Sequence, residues 1–141
     1  MVAEQKKITG VIFSDLGKAA AFMALDWVQQ ALQERLDFLP YPATLNLRLE
    51  DGGDLALWQE IRREGKGIPV PPADPSFCHA RLFRVEVVWN SAGVEKRVPG
   101  AVLRPEVKDY PADKVEVVSA VRLKDELGVS DGDRLTLEFV D

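Results

Sequence analysis

Residues Pro40-Tyr41-Pro42-Ala43-Thr44-Leu45-Asn46-Leu47-Arg48-Leu49 open with a rigid double-proline turn and run straight into a strictly alternating strand. Successive side chains of a strand point to opposite sides, so Leu45, Leu47 and Leu49 share one face and Thr44, Asn46 and Arg48 the other. The leucines are set to enter a core while the polar trio faces a cavity or solvent. An ordinary half-buried strand alternates in the same way, so the neighbouring segments must decide what this one does.

Upstream, Ile8 to Phe13 reads as a short β-branched strand. Ser14-Asp15-Leu16-Gly17-Lys18 then supplies turn chemistry, with Gly17 free to take positive φ. Ala20 to Leu25 is expected to be extended. Asp26-Trp27-Val28-Gln29 has the form of a capping box and predicts a helix from about Trp27 to Arg35. The competing reading is one long amphipathic helix from Ala19 to Leu36.

Downstream, Glu50-Asp51-Gly52-Gly53 is a turn, and Asp54 is a candidate cap for a helix with Leu55, Trp58 and Ile61 on its apolar face and Gly65 as its stop. Residues 65–75 include Pro69, Pro71, Pro72 and Pro75, which excludes helix or central strand. A long loop is expected there, either functional or covering one end of the fold. Ala80 to Trp89 alternates again, with Phe83, Val85, Val87 and Trp89 on one face. Asn90-Ser91-Ala92-Gly93 reads as a four-residue hairpin loop before a return strand from Val94 to Arg104. Lys114 to Ser119 is β-rich, Arg122 to Leu127 makes a helical turn or two ending at Gly128, and Ser130-Asp131-Gly132-Asp133 turns into a last strand from Arg134 to Val140. Many short strands with a few short helices predict a mainly β protein, a closed or nearly closed barrel.

A chain of 141 residues with 46% hydrophobic and 29% charged residues can bury its own core and reads as a single domain over 1–141. Its apolar runs are short and no signal-peptide pattern opens it, so no membrane association and a cytoplasmic location are expected. A formal net charge of −5 weighs against broad nucleic-acid binding, which depends on neutralising phosphates. The lone Cys78 excludes an internal disulfide and a thiolate metal cluster. Beside it, His79 would point to the opposite face of a strand, so the two make a poor nucleophile–base pair and read as a structural thiol and an edge imidazole.

The chain lacks a phosphate-binding glycine motif, a His/Cys metal cluster and a nucleophile elbow. Softer candidates remain. Thr44 and Asn46 place two neutral oxygens on one strand face, which suits a hard cation such as Mg²⁺ that takes most of its charge balance from substrate phosphates; a solvent-facing polar pair has the same spacing. The Ser14–Lys18 turn can offer backbone N–H groups and an ammonium to an anion. Glu116 interrupts the apolar run Val115-Glu116-Val117-Val118: facing a cavity it would hold a hydroxyl or ring N–H, and facing water it would be only the polar side of a strand.

Together these pieces resemble the CTP-dependent riboflavin kinases, from about Gly10 to Phe139. The most specific match is Phe38-Leu39-Pro40-Tyr41-Pro42-Ala43-Thr44-Leu45-Asn46-Leu47, which is similar to the family's Gly-Phe-x-Pro-Tyr-Pro-Gly-Thr-Leu-Asn-Val. Gly100-Ala101-Val102, Arg104-Pro105-Glu106, Val115-Glu116-Val117 and Leu127 to Asp133 support it. The resemblance implies a six-stranded cradle-loop barrel that transfers a phosphoryl group from CTP to the 5′-hydroxyl of riboflavin, giving FMN and CDP, with Mg²⁺. It also implies that Thr44 and Asn46 hold the metal. By the same resemblance Asp15, Leu16, Gly17, Lys18, Ala19 and Ala20, with Val121, Arg122, Leu123 and Lys124, line the nucleotide. Lys108 and Glu116 would lie on the flavin side, and no catalytic base is assigned.

The chain departs from the family at three places. Its first loop reads Ser14-Asp15-Leu16-Gly17-Lys18-Ala19 where the family has Ser-Gly-Leu-Gly-Glu-Gly, Lys108 replaces a threonine, and Ala43 replaces the glycine before Thr44. The implied partners are small molecules, and no motif sets an oligomeric state. Two alternatives stay open: a family member that binds flavin or nucleotide without catalysis, and a DNA-binding regulator-like barrel, suggested by the Ser130–Asp133 turn.

Overall fold

The computed structural model describes residues 5–14 and 18–140. In chain order the elements are β1 (Lys7–Phe13), α1 (Lys18–Met23), α2 (Asp26–Leu36), β2 (Leu45–Arg48), α3 (Gly52–Arg63), β3 (Ile68–Val70), β4 (Ala80–Ser91), β5 (Val94–Pro105), β6 (Lys114–Ser119), α4 (Leu123–Leu127) and β7 (Arg134–Phe139). Strands β4, β5, β6, β2, β1 and β7 pair in that order, all antiparallel, and β7 returns to β4 to close a six-stranded barrel. The extra strand β3 joins the first part of β4, with Ile68 opposite Leu82. Strand β7 takes the second part, from Val85 opposite Phe139 to Val88 opposite Thr136.

Alternation fills the barrel. Leu45, Leu47 and Leu49 point inward with Ile8, Ile12, Val85, Val87, Val102, Val117 and Leu137, all buried. Removing Leu47 to its Cβ is the kind of change that costs about 2–5 kcal/mol. Helices α3 and α4 follow the C-termini of β2 and β6, which are antiparallel neighbours, so they plug opposite ends. At one end Trp58 sits edge-on to Phe83 with ring centroids 5.1 Å apart and stacks on Phe139 at 5.7 Å. At the other, Leu123, Leu127 and Val129 complete the core.

A second apolar layer lies outside the barrel. Met23, Val28, Leu32 and Leu36 of α1 and α2 cover Ala80, Leu82, Ala101, Leu103 and Val118 on the outer faces of β4, β5 and β6. These strands are therefore buried on both sides, which explains the unbroken run Ala101-Val102-Leu103. Gly100 is required by close approach: a Cβ there would stand 2.7 Å from the carbonyl oxygen of Val118.

The local readings need five corrections. Residues 20–23 are helical, not extended, because α1 turns Met23 into the outer layer. Asp26 is the first residue of α2 and Leu25 its N-cap; the Gln29 side chain donates at 2.6 Å to the Met23 carbonyl at the end of α1 rather than closing a capping box. Helix α3 is capped by Asp51, whose carboxylate accepts from the N–H groups of Gly53 and Asp54 at 3.1 and 3.2 Å; Asp54 lies in the first turn. The proline segment contains an edge strand, β3, with Pro69 at its centre, an edge being where a missing N–H is tolerated. The hairpin loop is two residues long: Ser91 pairs with Val94, and Ala92 and Gly93 both take positive φ, 51° and 80°. That is the signature of the primed turn that matches strand twist.

Candidate functional site

A cavity of about 450 Å³ opens on the outer face of the barrel, where α1 and the segment before β4 overhang β1, β2 and β6. Strand register builds its floor. Asn46 stands opposite Phe13 on one side and Glu116 on the other, and Glu116 stands opposite Leu103. All four lie on the outward face because their neighbours Ile12, Leu45, Leu47, Val115, Val117 and Val102 fill the barrel. Thr44 and Asn46 of the alternation thus face a cavity, while Arg48 is exposed and lies over the Phe13 ring.

Glu116 is the polar centre of the floor. It is only 7% exposed, and each carboxylate oxygen has a donor: the Thr44 hydroxyl donates to Oε1 at 3.2 Å and the Tyr110 hydroxyl to Oε2 at 2.6 Å. The Tyr110 ring carries the Arg104 guanidinium carbon 4.2 Å from its centroid, which sharpens the phenol as a donor. Asn46 contrasts with its neighbour, for its Oδ1 is buried and accepts no hydrogen bond. Lys124 lies at the rim, its ammonium donating to Asp131 at 3.0 Å and Ser14 at 3.3 Å. Hydrogen bonding from Ser14, and then from Lys124, holds the Asp131 carboxyl below the usual carboxylate range.

The opposite wall is apolar. Phe22 of α1 and Phe77 of the segment before β4 lie 5.6 Å apart between ring centroids, and Trp27 packs behind both at 5.8 and 5.5 Å. Asp74 holds that segment, accepting from the Ser76 N–H at 2.9 Å and its hydroxyl at 2.8 Å. An aromatic wall across from a carboxylate and an amide suits a flat heteroaromatic ligand with polar substituents. Cys78 also lines the cavity and is exposed, so its reading as a structural thiol on a strand is corrected: it belongs to a loop, not to β4.

A smaller hollow of about 130 Å³ adjoins this cavity and shares Ala43, Thr44, Leu45 and Lys124 with it. Val121, Arg122 and Leu123 line it, with Tyr41 and Ser119. Thr44, Asn46, Glu116, Ala19, Ala20, Val121, Arg122, Leu123 and Lys124 are therefore gathered around one cleft. Of these, Leu123 is buried in the barrel core and Arg122 is drawn to Asp125 at 2.6 Å. Lys108 is exposed in the loop after β5 and does not line the cleft. Asp15, Leu16 and Gly17 lie outside the described residues, as does the side chain of Lys18. Sequence reading missed Tyr110, Phe22 and Phe77, none of which interrupts a predicted strand.

Among the described residues no group of three or more His, Cys, Asp or Glu side chains could hold a metal on its own. The donors present are a hydroxyl oxygen whose proton is committed to Glu116, leaving its lone pairs free, and an amide oxygen without a donor. Neutral oxygens of that kind fit a hard divalent cation that keeps waters and shares a ligand's phosphates, and fit a soft metal poorly. Among the described residues no helix is long and apolar enough to cross a membrane.

Comparison with known proteins identifies the family. The family model CTP-dep_RFKase, described as a domain of unknown function, DUF120, matches residues 12–139. A riboflavin kinase of Pyrobaculum arsenaticum is 34% identical over 95% of this chain and 60% of its own length, and one of Archaeoglobus fulgidus is 32% identical over 95% of the chain and 54% of its own length. A riboflavin kinase of Aeropyrum pernix is 34% identical, with 94% of each protein covered. The chain thus spans between 54% and 60% of the length of several relatives and 94% of another. With the barrel, its register and the match over residues 12–139 in hand, the chain belongs to the CTP-dep_RFKase (DUF120) family.

Proposed function

We propose that this protein is a riboflavin kinase that transfers the terminal phosphoryl group of CTP to the 5′-hydroxyl of riboflavin, giving FMN and CDP with Mg²⁺ as the metal. The relatives' name supplies the reaction class. The observation that carries it to this chain is the pairing of Asn46 with Glu116, a donorless amide oxygen beside a doubly held carboxylate on one cavity floor. Phosphoryl transfer asks a protein mainly to position two oxygens in line and to neutralise charge.

In this reading Thr44 Oγ1 and Asn46 Oδ1 hold the metal, which neutralises charge on the nucleotide phosphates. Lys124, at the junction of the two hollows, adds a second positive charge there. Val121 and Arg122 line the nucleotide side with Ala19 and Ala20. The Phe22–Phe77 wall takes a flat ring system, while Glu116 retains acceptor capacity after its two hydrogen bonds and orients the ribityl hydroxyl. The bond from the terminal phosphorus to its bridging oxygen breaks, the bond to the 5′-oxygen forms, and the hydroxyl proton leaves to solvent or to a base that no residue here is assigned to be.

The test is FMN formation from riboflavin with Mg²⁺ and either CTP or ATP, in the wild type and in Thr44→Ala and Asn46→Ala. The reading expects turnover with CTP and a loss of about 10²-fold or more in each variant. Riboflavin binding without turnover on either nucleotide would replace it with a binding function.

A further inference from the structure

We infer a second ligand site, for a phosphate-type oxyanion, formed by Arg62, Arg81 and Arg104 on the face of the β4–β5 ladder opposite the candidate active cavity. Strand alternation separates the two sites. Ala80, Leu103 and Pro105 line the first cavity, whereas their neighbours Arg81, Arg104 and Glu106 line another of about 470 Å³, with no residue shared. Arg62 and Arg63, from the last turn of α3, complete its charged wall.

Four guanidinium groups meet one lining carboxylate there, in a protein whose net charge is −5. Arg81 is engaged, donating to Glu106 at 2.7 Å and to the Gly67 carbonyl at 3.1 Å. Among the described residues no hydrogen bond or ion pair holds the side chains of Arg62 and Arg63. Arg104 is 8% exposed; its Nη1 donates to the Pro105 carbonyl, and its Nε is buried with no partner. Burial, and then the positive charge of Arg62, weaken the hold of Arg104 on its proton. Helix-dipole complementation accounts for cations in the last turn of α3. It does not account for a buried arginine on β5 with an unused N–H beside another cation. An oxyanion would accept from that N–H and neutralise the pair, a geometry for which planar guanidinium forks are suited.

The site also reaches the first cavity. Arg104 lies over the Tyr110 ring, and Tyr110 donates to Glu116, so an oxyanion on Arg104 reduces the cationic pull on that ring and loosens the phenol's hydrogen bond. This goes beyond the kinase reading, and its binding test does not depend on turnover.

The experiment is an NMR titration of the full chain in EDTA at constant ionic strength balanced with chloride. The probes are inorganic phosphate and glycerol 2-phosphate, read at the Arg104 Nε–H and Tyr110 ring resonances. A saturable shift at both positions with a Kd on the order of 1 mM or tighter for at least one probe, kept in Asn46→Ala and weakened at least about 10-fold in Arg62→Gln, supports the site. Tighter binding of the monoester points to an organic phosphate, and tighter binding of phosphate to the free ion. Arg62 is half-buried on a helix end, so Arg62→Gln tests the site without disturbing the buried Arg104. No saturable shift with either probe, full affinity in Arg62→Gln, or loss in Asn46→Ala overturns it.

Discussion

Asn46 and Glu116 face each other across the β2–β6 ladder in opposite hydrogen-bonding states: both Glu116 oxygens accept a bond, and the buried Asn46 Oδ1 accepts none. A buried acceptor without a donor costs roughly 1–3 kcal/mol. Asn46→Ala is therefore expected to leave stability unchanged or raise it by up to about 1 kcal/mol, while phosphoryl transfer falls by about 10²-fold or more. Urea denaturation and FMN assays on one preparation check both halves. A variant that loses stability and activity together would make Asn46 a packing residue.

Tyr110→Phe keeps the ring beneath Arg104 and removes only the hydroxyl. It leaves one oxygen of a 7%-exposed carboxylate without its 2.6 Å donor. Hydrogen bonds to charged groups contribute roughly 1.5–3 kcal/mol, so a stability loss in that range is expected, with weaker riboflavin binding. Fluorescence quenching of riboflavin on binding gives the second readout, and unchanged affinity would remove Tyr110 from the flavin side.

The hairpin tip holds Ala92 at φ 51°, in the left-handed region that alanine disfavours. Asn-Gly is the preferred pair for this turn. Ala92→Asn should therefore stabilise the protein by about 0.5–1 kcal/mol with no effect on catalysis. A thermal melt together with a turnover assay reads both.

Glu138 lies on the outer barrel face, 4% exposed, and accepts both Nη groups of Arg97 at 2.9 and 3.0 Å. That bidentate bond, and then the charges of Arg97 and Lys7, hold its carboxyl below the ordinary glutamate value, while the Glu138 and Glu95 carboxylates raise the Arg97 guanidinium. A depressed folded value means that the pair stabilises the protein fully above the unfolded glutamate range. That contribution is lost as pH falls through the depressed value. Glu138→Gln should accordingly be less stable than the wild type at pH 7, with the gap closing toward pH 3 in urea midpoints. A gap independent of pH would assign the effect to packing.

Much of the barrel was legible because alternation at Leu45–Leu49, Phe83–Trp89 and Leu135–Phe139 is a direct imprint of inside and outside. Two features were not. Residues 20–23 form a helix because a tertiary layer receives Met23; the pattern left that segment open between extended chain and one helix from Ala19 to Leu36, and neither reading has a helix ending at Met23. Asp51 and Asp54 both have cap chemistry, and only the helix start decides between them. At the site, Thr44, Asn46 and Glu116 could be found because each breaks an apolar strand. Tyr110, Phe22 and Phe77 could not, because they come from a loop, a helix and another loop that meet only after the barrel closes.

The arrangement of partners along β4 has a consequence for how copies of this protein meet. Among the described residues, β3, which borders β4 alone, and Val94–Pro99 of β5, which pairs only with β4, leave backbone open for an incoming strand. Each contains a proline, Pro69 and Pro99, with no N–H to offer, and the Pro69 carbonyl already accepts from Arg35 at 3.0 Å. Glu95, Lys96 and Arg97 charge the second stretch. Edges blunted in this way resist intermolecular sheet extension, so the barrel can be concentrated without templating fibrils from its own rim.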